Sequence, residues 1–284
     1  MLIRLLAVLV LSATIVRANT IAQFRTIGGD LEVELFTEDK PVTCRNFIRL
    51  VEAGAYQNTF LHRLVPGFVI QGGGFWVPSK SDTNYFTGFG FVPHFGPITN
   101  EFSIGPYLTN DFGTIAMAKT TNGPDTATCQ FFFNLANNST NLDVQNGGFT
   151  VFGRVVKGTN LLQFWNTLGY STGIVDQTFF FGPTFSAFTT LPVTYLGWTP
   201  ARYSQLLYVD VTLMRVAVSN LADGTSMVSW KSAGGLTNIV EAATSFSPPE
   251  WVLLHTTNGT GGTMSYADTN SAAGGRFYRI RVER

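Results

Sequence analysis

From Asp30 to Phe36 apolar and charged residues alternate, with Leu31, Val33 and Leu35 on one side and Glu32 and Glu34 on the other. A period of two is what a strand with one buried and one wet face requires, and no helix can satisfy it. The alternation returns at Leu207–Leu213, where Leu207, Val209, Val211 and Leu213 are expected to point inward and Tyr208, Asp210 and Thr212 outward. Further short strands are expected around Phe68–Gln71, Thr114–Ala118, Gln130–Phe133 and Phe149–Val155. Only two stretches have helical spacing. Pro41 sits where a first turn begins, Cys44, Phe47, Ile48 and Val51 follow on one face, and Gly54 is placed to end the helix. Leu161, Trp165 and Leu168 mark the second. Many short strands with two helices predict a mainly β fold, a closed antiparallel barrel capped by two helices, because closure removes exposed sheet edges.

After about Val218 the texture changes to short apolar pieces, Met227–Trp230, Asn238–Glu241, Trp251–His255, Thr263–Tyr266 and Phe277–Val282, separated by turn residues. These predict a small β-sandwich-like module at 219–284, with the larger domain at 19–218. The module is a candidate for binding a cell-surface polymer or a protein, with Trp230 and Trp251 as sugar-stacking platforms, although filling a small core is the simpler role for both. Aromatic- and glycine-rich stretches at 75–100 and 170–204 are expected to be long loops, either functional lids or surface elaboration.

Residues 1–18 have the form of a signal peptide: Arg4, the apolar run Leu5 to Leu11, and small residues at Val16-Arg17-Ala18. Cleavage near Ala18 and export to the periplasm or outside are expected, with no membrane segment in the mature form, since the apolar run is too short to span a bilayer. The formal net charge is zero and no Lys/Arg run occurs, which argues against nucleic acid as a partner. Export permits a Cys44–Cys129 disulfide, while two buried free thiols satisfy the sequence equally well. His62, His94 and His255 are scattered, so no metal site is expected. Asn138-Ser139-Thr140 and Asn258-Gly259-Thr260 fit the glycosylation triplet.

The stretch Phe60-Leu61-His62-Arg63-Leu64-Val65-Pro66-Gly67-Phe68-Val69-Ile70-Gln71-Gly72-Gly73 places one arginine and one glutamine in an apolar strand pair. A buried arginine needs a partner, either a structural carboxylate elsewhere or a ligand. This segment resembles the hallmark of the cyclophilins, departing from it at Leu61, where the family has its first aromatic. Asp30–Phe36, Pro41-Val42-Thr43 to Asn46-Phe47, Gly54–Thr59, Met117-Ala118, Gln130–Phe133, Leu142-Asp143 and Phe149–Gly153 resemble other family motifs in the family's order. The resemblance covers roughly residues 20–215.

It implies peptidyl-prolyl cis-trans isomerisation of proline-containing polypeptides, without cofactor or covalent intermediate. A catalytically weak peptide-binding or assembly module of the same fold is the alternative. By resemblance Arg63 acts on the twisting amide, and Phe68, Val69, Phe132, Leu142 and Phe149 form the pocket for the proline ring. Gln71 serves the arginine and the substrate backbone, Ala118 and Gln130 the adjoining wall, and Lys119 a backbone-binding position. His62 matches the hallmark histidine and is grouped with the substrate-binding residues, although support of the fold is the simpler role. Asn141 stands where the family carries a rim aromatic, Val69 where it carries Met and Lys119 where it carries Asn. These departures imply altered peptide preference and weak binding of cyclosporin.

Overall fold

The computed structural model describes residues 20–78, 80, 84–197, 200–214, 216–232, 237–245, 250–260, 262–270 and 275–283, so the expected signal peptide lies outside the described residues. In chain order the first elements are β1 (Ile21–Thr26), β2 (Gly29–Leu35), α1 (Pro41–Glu52), β3 (Thr59–Phe60), β4 (Arg63–Val65), β5 (Val69–Gly72), β6 (Phe75–Trp76), β7 (Gly90–Phe91), β8 (Thr114–Met117) and β9 (Phe131–Asn134). There follow α2 (Ser139–Leu142), β10 (Val151–Lys157), α3 (Thr159–Trp165), β11 (Ile174–Val175), α4 (Thr178–Phe181), β12 (Leu191–Pro192) and β13 (Tyr208–Met214). The last six strands are β14 (Val216–Asn220), β15 (Ser226–Lys231), β16 (Thr237–Ala243), β17 (Val252–Asn258), β18 (Thr263–Asp268) and β19 (Phe277–Glu283). No helix of the described residues is long and apolar enough to cross a membrane.

Eleven strands form one curled sheet in the order β4-β5-β9-β8-β10-β2-β1-β13-β3-β6-β7. The alternation read at 30–36 and 207–213 holds: Leu31, Val33, Leu35, Leu207, Val209, Val211 and Leu213 are all buried in the main core. The expected closed barrel is corrected to an open one, since the ladder ends at β4 on one side and β7 on the other. The chain changes neighbour at Leu61–His62: Leu61 N donates to Leu207 O, whereas His62 N donates to Gln71 O. The covalent chain, rather than a continuous ladder, spans that seam.

Helix α1 begins at Pro41 as expected and has no side-chain cap of its own. Its free amides are met from far along the chain by buried Glu101, which accepts from Val42 N at 3.0 Å and Thr43 N at 2.7 Å. Buried Lys40 holds the same loop by donating to the carbonyls of Glu101 at 2.8 Å and Ile104 at 2.6 Å. The second helix is shorter than its spacing suggests, and Leu168 packs on the core from beyond its end.

Described residues of the stretches at 75–100 and 170–204 pack on one another. Phe75, Val77, Phe86, Val175, Phe188, Leu191, Val193 and Ala201 form with Phe60 and Leu206 a second buried cluster, flanked by Phe89, Phe181 and Phe185. Aromatic spacing along a loop carries no period, so only the pairing of two distant segments makes this core.

Beyond β13, two three-stranded sheets, β14-β15-β18 and β17-β16-β19, share one cluster of Val228, Trp230 and Val240 flanked by Tyr266 and Ile280. Asp268 links them by accepting from Tyr278 Oη at 2.8 Å. The five apolar pieces lie in strands except for Trp251, which precedes β17, and the 218/219 boundary falls inside β14. Trp230 is buried, with its indole nitrogen donating to Asn238 Oδ1 at 3.2 Å, and Arg279 lies over Trp251 at 4.2 Å.

Candidate active site

The site starts at a turn. Pro66 and Gly67 occupy its centre, Gly67 takes a φ of 72°, and Phe68 N donates to Val65 O at 3.0 Å. Proline followed by a residue of positive φ is the requirement of a type II turn. This turn sets the β4–β5 register, pairing Val65 with Val69, Leu64 with Ile70 and Arg63 with Gln71.

From Arg63 a single row of partners crosses the sheet: Gln71, then Phe132 in β9, Ala116 in β8 and Val151 in β10. Residues directly opposite in adjacent strands share a face. Their sequence neighbours Leu64, Ile70, Phe131, Phe133, Ile115 and Phe152 belong to the main core on the other face. Val69, Ala116, Phe132, Leu142 and Val151 form a separate apolar cluster, with Phe68, Ala118, Phe149, Phe36 and Leu108 packed against it. The five residues expected to make the proline pocket are thus in one cluster. The Phe132 and Phe149 rings meet edge-on at 5.8 Å. Ala116, Val151, Phe36 and Leu108 also belong to this cluster; Ala116 and Val151 lie inside buried strands, where small or aliphatic residues carry no functional signal, and Phe36 and Leu108 join it only through long-range packing.

Arg63 is half-buried, and that burial lowers its pKa. Among the described residues its guanidinium has neither a carboxylate partner nor a side-chain hydrogen bond. The neighbouring Gln71 amide donates to Gln130 Oε1 at 2.7 Å, and Ala118 N donates to Gln130 O at 2.9 Å. Lys119 Nζ donates to the carbonyls of Asn146 at 2.8 Å and Gly148 at 2.6 Å and lies 4.6 Å from the Phe149 ring centre. Burial brings its pKa down to about 8.

His62, grouped from its sequence position with the substrate-binding residues, is placed where the simpler reading, support of the fold, has it. It is fully buried, edge-on to Phe75 at 4.7 Å, and among the described residues neither ring nitrogen is within hydrogen-bond geometry of a partner. Burial first, and then the adjacent Arg63 charge, push its pKa down to about 3, against a weaker opposing influence of the Gln130 side chain. A neutral ring there joins the site strand to the second aromatic core. The triplet at Asn138 is corrected: Asn138 is buried, and its Nδ2 donates to Phe68 O at 2.8 Å. Cys44 and Cys129 are both free and buried. Asn141 is exposed on α2, immediately before the cluster residue Leu142.

Residues 21–178, more than half of the chain, match the family model for cyclophilin type peptidyl-prolyl cis-trans isomerase/CLD. A peptidyl-prolyl cis-trans isomerase of Acinetobacter baylyi is 40% identical over 146 residues, covering 51% of this chain and 71% of its own. Peptidyl-prolyl cis-trans isomerase B of Escherichia coli is 36% identical over 154 residues, covering 53% of this chain and 85% of its own. The crystal structure of a Cryptosporidium parvum cyclophilin type isomerase, determined in the presence of the dipeptide Ala-Pro, is 22% identical, covers 69% of this chain and 99% of its own, and has a TM-score of 0.46. On the family match and its curated relatives, this chain belongs to the cyclophilin-type peptidyl-prolyl cis-trans isomerases and is an enzyme of that activity.

Proposed function

We propose that isomerisation takes place on the outer face of the sheet at Arg63. In this reading Phe68, Val69, Phe132, Leu142 and Phe149 receive the proline ring, and Gln71, Gln130, Ala118 and Lys119 line the flanking peptide. The observation that carries it is a half-buried guanidinium without a carboxylate partner among the described residues, in register with an apolar cluster.

Rotation about an X–Pro bond faces a barrier of roughly 18–20 kcal/mol, because resonance gives the C–N bond double-bond character. Twisting breaks that resonance and returns the lone pair to nitrogen, which becomes pyramidal and able to accept a hydrogen bond. The planar amide offers no such acceptor. Donors of Arg63 placed at that nitrogen therefore gain strength along the twist and favour the transition state over either planar form. Partial burial lowers the local dielectric and strengthens the effect. No bond is made or broken.

The test is exchange of a chromogenic Ala-Pro tetrapeptide by residues 19–284 and by an Arg63→Ala variant of equal thermal stability. A loss of about 100-fold or more in the variant is expected, the scale of removing one transition-state donor. A variant as active as its parent removes Arg63 from this role. Unchanged slow exchange in both, with peptide still bound, supports the alternative of a catalytically weak binding module.

The clients in this reading are exported proteins, supported by Arg4, the Leu5 to Leu11 run and the small residues before Asn19. N-terminal sequencing of the mature protein should begin near Asn19, and an intact Met1 would remove the export reading. The last six strands are read as a small two-sheet sandwich; burial of Trp230 favours a core role over sugar stacking.

A further inference from the structure

We propose that a buried chain of amides, Asn138, Asn134 and Asn110, anchored on Asp143, is a positioning device that sets the separation of the two aromatic walls of the proline pocket. The inference rests on the pocket assignment above.

Phe68 sits beside β5 and Phe149 beside β10, with β9 and β8 between them in the sheet, so no ladder bond joins these walls directly. The amides do. Asn138 Nδ2 donates to Phe68 O at 2.8 Å and to Asn134 Oδ1 at 2.7 Å. Asn134 Nδ2 donates to Asn110 Oδ1 at 3.1 Å, and Asn110 Nδ2 donates to Phe149 O at 2.9 Å. Asn110 and Asn134 are 0% exposed and Asn138 is 6% exposed. The main chain ties the same pieces together: Asn138 N donates to Asn110 O at 2.8 Å, Leu142 N to Asn138 O at 2.7 Å and Phe149 N to Leu142 O at 2.8 Å.

Asp143 fixes the far end. Its carboxylate accepts from Asn110 Nδ2 at 2.7 Å, Asn110 N at 3.0 Å, Thr109 Oγ1 at 2.7 Å and Tyr107 Oη at 2.8 Å. Burial works against its charge, yet these donors outweigh burial and hold its pKa below the ordinary value. The chain thus runs from the pocket to Tyr107, which is well exposed.

An apolar filling of this layer would meet the needs of stability, since swapping a polar set for a packed apolar one is often neutral. Amides add geometry. Hydrogen bonds have set lengths and angles, and a connected set moves as a unit, whereas apolar contacts slide. Walls held at a set spacing bind the proline ring in the planar and twisted states alike, which places the effect in KM rather than kcat.

The experiment measures KM and kcat for an Ala-Pro peptide, its Kd by calorimetry, and thermal stability, for Asn138→Ala and for the surface pair Tyr107→Phe/Thr109→Val. Asn138→Ala is expected to raise KM and Kd about tenfold with kcat within about twofold, and the surface pair to raise both about threefold at the parental melting temperature. A merely structural role would lower kcat with the folded fraction and leave KM unchanged, and that result overturns the proposal. Should Asn138→Ala not fold, the surface pair decides: unchanged KM and Kd overturn it. A parent that binds the peptide without turning it over defeats the catalytic assignment alone, and Kd then carries the test. A parent that neither binds nor turns over any X–Pro peptide overturns both.

Discussion

Arg63 and Gln71 are direct cross-strand partners, and the Gln71 amide nitrogen is held 2.7 Å from Gln130 Oε1. The glutamine is therefore oriented from the side opposite the arginine, so its truncation should disturb how substrate is presented rather than the fold. Gln71→Ala is expected to lower kcat/KM about tenfold, the effect of losing one or two modest hydrogen bonds, at an almost unchanged melting temperature. Steady-state kinetics with thermal melts would check this, and a large stability loss would recast Gln71 as structural.

His62 should give the protein an acid sensitivity. Its ordinary pKa of 6.5 lies above the folded value of about 3, so the unfolded chain takes up a proton that the folded chain refuses. Stability then falls as pH drops from 6.5 towards 3, by up to about 1.4 kcal/mol per pH unit from this group. Urea unfolding across that range should show a shallower loss in His62→Leu than in the parent. Parallel curves would show that the ring is not the source.

Phe188 is the hub of the second core, fully buried with ring contacts to Phe60, Phe75, Phe86, Phe89, Phe181 and Phe185. Phe188→Ala should cost about 3–5 kcal/mol by chemical denaturation. A cost below about 1 kcal/mol would mean that the segments at 75–100 and 170–204 pack independently.

Asn141, exposed beside Leu142, stands where the family resemblance expects a rim aromatic. Cyclosporin is expected to bind weakly, and Asn141→Trp to tighten it at least about tenfold, the worth of one well-packed aromatic contact. Calorimetry decides: submicromolar binding by the parent would show that the rim aromatic is dispensable.

Strand period, helix entry at Pro41 and the Pro66-Gly67 turn were legible because each is written in neighbouring residues. The turn also carried the Arg63–Gln71 pairing, since a tight hairpin sets its own register. The resemblance likewise grouped Phe68, Val69, Phe132, Leu142 and Phe149, which the structure brings into one apolar cluster. It could not tell whether Arg63 had a carboxylate partner, because that depends on side chains brought from elsewhere.

Tertiary structure alone decided the rest. Glu101 caps α1 from 58 residues further along the chain, Asn138 of a glycosylation-like triplet donates to Phe68 O instead, and the phenylalanines of two distant segments become one core beside His62. The open seam at Leu61–His62 arises because two consecutive residues bond to different neighbours, Leu207 and Gln71. The chain by itself determines what depends on local period and turn chemistry. Long-range pairing leaves no period in the sequence, and it decides which polar groups are satisfied and which, like the Arg63 guanidinium, have no carboxylate partner among the described residues.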